Sequence, residues 1–295
     1  MKRILTFALA LAAFTLASCG GGSNEMRIVS ATQSTVVTPV NSGTWTFSEF
    51  AGGTVDFATS PAPLAGGGDE SLKFVAGDYP SGADAISRDF AGTKLADLTN
   101  LSYSTYVTSF VSGQAPYLIL NVDLDNDGDL DKSLFFEPVY QNGTYPGDSV
   151  PDQGDVTLNT WQTWDALAGG WWDSPDEDPA LGPWDSVPHF GPPVYTLATI
   201  AAQYPDAVLF NDPTTGTFSI TAGYGVAVTA FADVLTVGAN DDTVTYNFEV
   251  STSGDCKNNG WKALGYKNQG QCIAAHTNKG QKGKGNGPRR PQDEE

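Results

Sequence analysis

Residues 117–140 read YLILNVDLDNDGDLDKSLFFEPVY. Apolar side chains take alternate positions at Leu118, Leu120, Val122 and Leu124, and again at Leu134, Phe136 and Tyr140. A period of two places such residues on one face of an extended chain, so the stretch is expected to form two strands joined by a loop. The loop carries Asp123, Asp125, Asp127, Asp129 and Asp131 at alternate positions, with Gly128 among them. Two carboxylates 4 Å apart repel by about 1 kcal/mol even in water. Carboxylates packed this densely in a folded turn call for a cation.

The spacing matches the first half of an EF-hand calcium loop: side-chain oxygens at positions 1, 3 and 5, a turn glycine at 6, a backbone carbonyl at 7. It departs from that loop at position 12, which is Leu134 rather than Glu, and in having strands as flanks. The pattern DxDxDGxxD, ending at Asp131, resembles the calcium hairpin loops of extracellular β proteins. The resemblance implies Ca²⁺ held by the side chains of Asp123, Asp125, Asp127 and Asp131 and by the carbonyl of Asp129. Glu137 is an outlying extra ligand candidate farther down the strand. Hard oxygen donors favour calcium over zinc or copper. The plain alternative is a solvated acidic turn, and the joint agreement of glycine position and acid phase speaks against it.

Outward from the hairpin, further strands are expected at 44–50, 54–59, 71–76, 85–90 and 101–110, then at 156–164, 207–210, 217–228, 232–238 and 243–251. In the last, Val244, Tyr246, Phe248 and Val250 face one way and Thr243, Thr245, Asn247 and Glu249 the other. One helix is expected where Leu197, Ile200, Ala201 and Tyr204 keep helical spacing, with Thr196 as cap and Pro205 as stop. Many short strands broken by Gly, Pro, Asp and Asn imply a sandwich or barrel over residues 43–251.

The segments LSYSTYV, LFFEPVY, TWQTWDALAGGWW and TVTYNFE resemble those of a group of exported bacterial proteins to which no activity is assigned, so no catalytic residue carries over. FADVLTVG is similar to the end of jelly-roll carbohydrate-binding modules. With the strand pattern, the expected fold is all-β: a jelly-roll-like β-sandwich with one short helix.

The termini place the chain in the cell. Lys2 and Arg3 precede an apolar run over residues 4–16, too short to span a bilayer, so residues 1–18 read as an export signal. Leu16-Ala17-Ser18-Cys19 resembles a bacterial lipobox, which implies a lipid on Cys19 and anchoring in the cell envelope. With Gly20 after the cysteine, the resemblance implies outer-membrane sorting in a diderm host. Residues 19–42, small and polar, are expected to be a flexible tether. Of three cysteines, lipidation of one leaves Cys256 and Cys272, which an exported chain is expected to join. Their segment, CKNNGWKALGYKNQGQC, resembles a short terminal module of exported bacterial proteins and marks a small element over residues 252–275. Residues 276–295 are expected to be a disordered basic tail.

The net charge is −19. Between Ser42 and Cys256 the basic residues are Lys73, Arg88, Lys94 and Lys132 alone. That field repels nucleic acid and anionic headgroups and suits divalent cations and neutral ligands. Solubility in an extracellular setting explains it equally well. Residues 161–195 hold five of the seven tryptophans beside many acids. Trp171, Trp172 and Trp184 are candidate stacking platforms for a polysaccharide, with core packing as the even alternative. No HExxH, CxxC, GxSxG or P-loop occurs. The expected function is a non-catalytic binding module for glycan or another extracellular polymer. A glycan hydrolase or lyase using carboxylates of the Trp-rich region, and a structural or adhesive protein, stay open.

Overall fold

The computed structural model describes residues 32–59, 64, 68, 70–173, 191–249, 253–257, 260–264 and 266–277. The strands, in chain order, are β1 Thr32–Val37, β2 Thr46–Phe50, β3 Thr54–Thr59, β4 Glu70–Ala76, β5 Gly82–Ser87, β6 Leu98–Phe110 and β7 Tyr117–Asp123. They continue as β8 Lys132–Phe136, β9 Trp161–Asp165, β10 Trp172–Asp173, β11 Val208–Leu209, β12 Phe218–Gly223, β13 Val228–Ala239 and β14 Asp242–Phe248. They form two sheets. The first runs β1-β14-β13-β4-β3, with β6 on the other edge of β13 and β9 beyond β6. The second runs β10-β8-β7-β12-β5-β2, with β11 beside β7. The chain crosses between sheets after β1, β2, β4, β5, β6, β8, β9 and β12. This is the expected all-β sandwich.

The core lies between the sheets and follows the period of two. Leu118, Leu120 and Val122 of β7 and Leu134 and Phe136 of β8 are buried from one side; Leu72 and Phe74 of β4 and Leu101 and Tyr103 of β6 from the other. Trp45 fills one end, edge-on to Phe218, Tyr246 and Phe248 at 4.9–5.7 Å. Such edge-to-face pairs add about 0.5–1.5 kcal/mol each beyond burial.

β13 changes phase along its length. Val228, Ala230 and Ala232 point into the core, and then Leu235, Val237 and Ala239 do. Three residues of β13 are spent between Asp233 and Thr236 while β6 spends two between Ser104 and Ser102, and Val234 has φ 53°. This is a β-bulge, one residue inserted against the partner strand. It lets one edge of β13 pair first with β4 and then with β14. Asp233 holds the bulge by accepting from the Phe248 amide at 3.0 Å. Burial pushes its carboxyl up to about 7, against the Phe248 and Val234 amides.

The expected helix is α1, Leu197–Gln203, capped by Thr196, whose hydroxyl accepts from the Thr199 amide. Two more, α2 Gly260–Ala263 and α3 Gln269–Thr277, build the C-terminal element. Cys256 and Cys272 are joined there, so the thiols that cluster with His276 are spent as a disulfide. Helix α3 carries order two residues into the expected tail.

The tether expectation needs correcting. Within residues 19–42, Thr32–Val37 is strand β1, paired in parallel with β14, and Val37 is buried. The β-branched residues Thr32, Thr35, Val36 and Val37 favour extended chain, and the edge of β14 supplies the partner. Cys19 and the expected signal lie outside the described residues.

Candidate functional site

The β7–β8 hairpin delivers the aspartates to one point. Asp123 ends β7 almost fully buried; its two carboxylate oxygens accept from the Gly128 amide at 2.8 Å and the Asp127 amide at 3.2 Å. Asp131 accepts from the Leu124 amide at 2.7 Å, closing the loop base. Asp125 accepts from the Asp127 amide and Asp127 from the Asp129 amide. The path needs left-handed backbone at Asn126, φ 59°, and Gly128, φ 99°, which glycine adopts without steric cost. Asp123, Asp125 and Asp131 then each bring a carboxylate oxygen within 4.8 Å of the others. Burial raises the Asp131 carboxyl above its ordinary value; the Leu124 amide opposes this, and Asp125 and Asp123 add to it. Three hard carboxylates converging in this way could hold a divalent metal ion. Asp127 and Asp129, expected as ligands, lie outside that cluster of three. Glu137 is elsewhere, on the face of the sheet.

That face carries a groove. On β7 and β8 the residues opposite to the core set are Tyr117, Ile119 and Asn121, then Ser133 and Phe135. They line two adjoining hollows of about 380 Å³ each, which share Tyr117, Phe135 and Tyr224. Gln114, Glu137, Tyr140 and Trp172 complete the first hollow; Asp84, Ser48 and Ser219 belong to the second. Trp172 stacks flat on Phe135, with centroids 4.4 Å apart and planes 16° apart. Tyr224 stacks on Phe50, which is 54% exposed. The Tyr224 ring lies directly over Gly82, where a Cβ would come within 2.4 Å of it, so any side chain at 82 would displace the ring.

The acids among the described groove residues are Asp84 and Glu137. Asp84 accepts from the Tyr224 hydroxyl at 2.8 Å and the Thr221 hydroxyl at 2.9 Å; burial still raises its carboxyl, against those two bonds. Burial alone pushes the Glu137 carboxyl up to about 7. Among the described residues, two buried atoms of the groove have no hydrogen-bond partner: Nε1 of Trp172 and Oε1 of Gln114. Buried polar atoms are normally paired, so each is a place where a ligand or water belongs. No Lys or Arg is among the described residues lining either hollow.

The groove and the aspartate loop meet through one ion pair. Lys132, next to Asp131, points into the core and meets Asp173, next to Trp172, at 2.9 Å. Both are buried.

The tryptophans divide by the same period of two. Trp172 is paired with Phe135 across β10 and β8 and faces the groove. Trp171 points the other way: it is fully buried, packs on Phe136 and donates from Nε1 to the Ala166 carbonyl at 2.8 Å. It is core, and its expected role as a stacking platform is corrected. Trp184 lies outside the described residues. Sequence reasoning missed Tyr117, Phe135, Tyr224 and Asp84. Their signal was present in residues 117–140, where Tyr117, Ile119 and Phe135 make the second face apolar as well. A sheet apolar on both faces has something to cover on each.

No protein-family model and no curated protein sequence matches the chain. Among solved structures, it is similar to the arabinose-bound α-L-arabinofuranosidase MgGH51 (10% identity, TM-score 0.34), covering 68% of this chain and 24% of that one. The chain thus spans about a quarter of that enzyme's length. It is also similar to the CBM22-1 xylan-binding domain of Paenibacillus barcinonensis Xyn10C (14% identity, 65% of this chain and 85% of that one, TM-score 0.31). A third is the family 11 carbohydrate-binding module of Clostridium thermocellum Lic26A-Cel5E (8% identity, 66% and 88%, TM-score 0.34). At that level of likeness no ligand carries over.

Proposed function

We propose that this chain is an envelope-anchored, calcium-stabilised β-sandwich that binds a neutral polysaccharide along the outer face of its second sheet. The observation that carries this reading is the groove. Among the described residues its rings are Tyr117, Phe135, Tyr140, Trp172 and Tyr224, it holds two acids and no lining cation, and two of its buried polar atoms lack partners. A sugar ring offers C–H faces to aromatic rings and hydroxyls to both orphan atoms. A purely apolar ligand would leave the orphans unpaired, at about 1–3 kcal/mol each. An anionic one would meet Asp84 and Glu137. Asp123, Asp125 and Asp131 would hold Ca²⁺, which supplies charge neutralisation at the hairpin; Asp127 and Asp129 complete the set that the DxDxDGxxD resemblance implies.

The test is a glycan array probed with purified protein, with calcium and with chelator. Neutral polysaccharides should be retained, more firmly with calcium. An array silent on every neutral glycan would overturn the reading. Release of shortened products from a bound glycan would turn it into the hydrolase reading, with Glu137 and Asp84 as the acids to replace.

The anchor rests on the lipobox-like residues 16–19. Cys19→Ser is expected to leave the protein unprocessed or released from membranes in fractionation. A variant that stays membrane-bound at its mature size would contradict lipidation.

A further inference from the structure

Glu137 follows β8 in extended conformation, φ −104° and ψ 125°, and continues the outward phase of Ser133 and Phe135. It is the sole acid among the described residues of its hollow. Among the described residues, the side chains around it are Gln114 before β7, Tyr117 of β7, Phe135 of β8, Tyr140 of the turn at Pro138–Tyr140, Tyr224 after β12 and Trp172 of β10. Its charge would bear on Tyr103, Tyr117 and Tyr140, while Asp84 bears on Tyr117 and Tyr224. None of these is a cation, and no hydrogen bond among the described residues offsets the cost of burying the Glu137 carboxyl. A carboxyl in that position is disfavoured as an anion.

Resting on the glycan reading of the groove, we infer that Glu137 meets its ligand as a neutral acid, donating a hydrogen bond to a sugar oxygen, and that the hollow thereby selects uncharged sugars over uronates. The neutral acid and the Trp172 Nε1 are donors, and the Gln114 Oε1 is an acceptor. That mixed set is complementary to hydroxyls, which both donate and accept. A uronate would place its carboxylate in a hollow with no Lys or Arg among its described lining residues, so the desolvation of that charge goes uncompensated and binding is disfavoured. Burial that holds the carboxyl near 7 makes the neutral form the main one below neutrality.

The experiment titrates the full-length protein by affinity electrophoresis at fixed calcium from pH 5.5 to 8.5. The probes are soluble xylan, mixed-linkage β-glucan and polygalacturonate. If only the protonated form binds, wild-type affinity for the retained neutral glycan should fall about 30-fold across that range. Polygalacturonate should not be retained at either end. Glu137→Gln keeps a donor without an ionisation, so its affinity should be flat with pH and within about threefold of the wild type at pH 5.5. Retention of a neutral glycan with a flat wild-type profile, or preference for polygalacturonate, would overturn the inference and leave a glycan-binding groove standing. Failure to retain any probe at pH 5.5 would overturn the groove reading and this inference together. Should the Gln variant not fold, the wild-type profile and selectivity decide alone.

Discussion

Asp173→Ala is expected to destabilise the fold by about 3–5 kcal/mol, the cost of leaving the Lys132 ammonium buried without its partner. Lys132 is essentially inaccessible to water and cannot turn outward without breaking the β7–β8 ladder in which it pairs with Val122. Replacing both members with apolar residues of similar volume, Lys132→Met with Asp173→Leu, should recover most of the loss, because such pairs are often neutral when exchanged together. Urea unfolding of the three proteins measures this. The single variant should also bind glycan and metal more weakly, since Asp173 adjoins Trp172 and Lys132 adjoins Asp131. A loss under about 1 kcal/mol in Asp173→Ala would mean that the pair is solvated in solution.

Calcium should raise the stability of the whole sandwich. The loop joins two core strands, so an ion that binds only the folded hairpin stabilises everything that unfolds with it. At 100-fold excess over Kd the gain is about 2.7 kcal/mol, or about 5–10 °C in melting temperature for a domain of this size. Asp123→Ala should abolish that rise, because Asp123 both joins the carboxylate cluster and anchors the Asp127 and Gly128 amides. Asp97→Ala, outside the loop, should keep it. Magnesium should substitute poorly, since it demands a tighter octahedron and gives up water reluctantly. A wild-type melting temperature indifferent to millimolar calcium would remove the metal from the account.

The sandwich was legible because its core obeys a period of two over long runs. β3 falls on residues 54–59 as read, and α1 begins at the expected cap. The places where reading failed have physical causes. The bulge at Asp233–Val234 flips the phase of β13, so one strand of twelve residues looked like the end of one strand and the start of another. Among the described side chains of β1 only Val37 is buried, and the stretch was indistinguishable from linker. β10 is two residues long, and its phase, which sends Trp171 inward and Trp172 outward, exists only through pairing with β8. The aspartate loop is local, so spacing revealed it. The groove is not local: Asp84, Tyr117 and Phe135 come from separate strands and Tyr224 follows a fourth, and the sheet order β8-β7-β12-β5 makes them neighbours.

The central claim, a glycan seated on the outer face of the second sheet, is tested most directly by calorimetric titration of the best array ligand into the double variant Phe135→Ala with Tyr224→Ala. Leu158→Ala, an exposed site away from the groove residues, serves as control. With stacking worth about 1 kcal/mol per ring, the double variant should bind roughly 30-fold more weakly while keeping its cooperative melting transition, and the control should bind as the wild type does. A folded double variant with wild-type affinity would contradict the account.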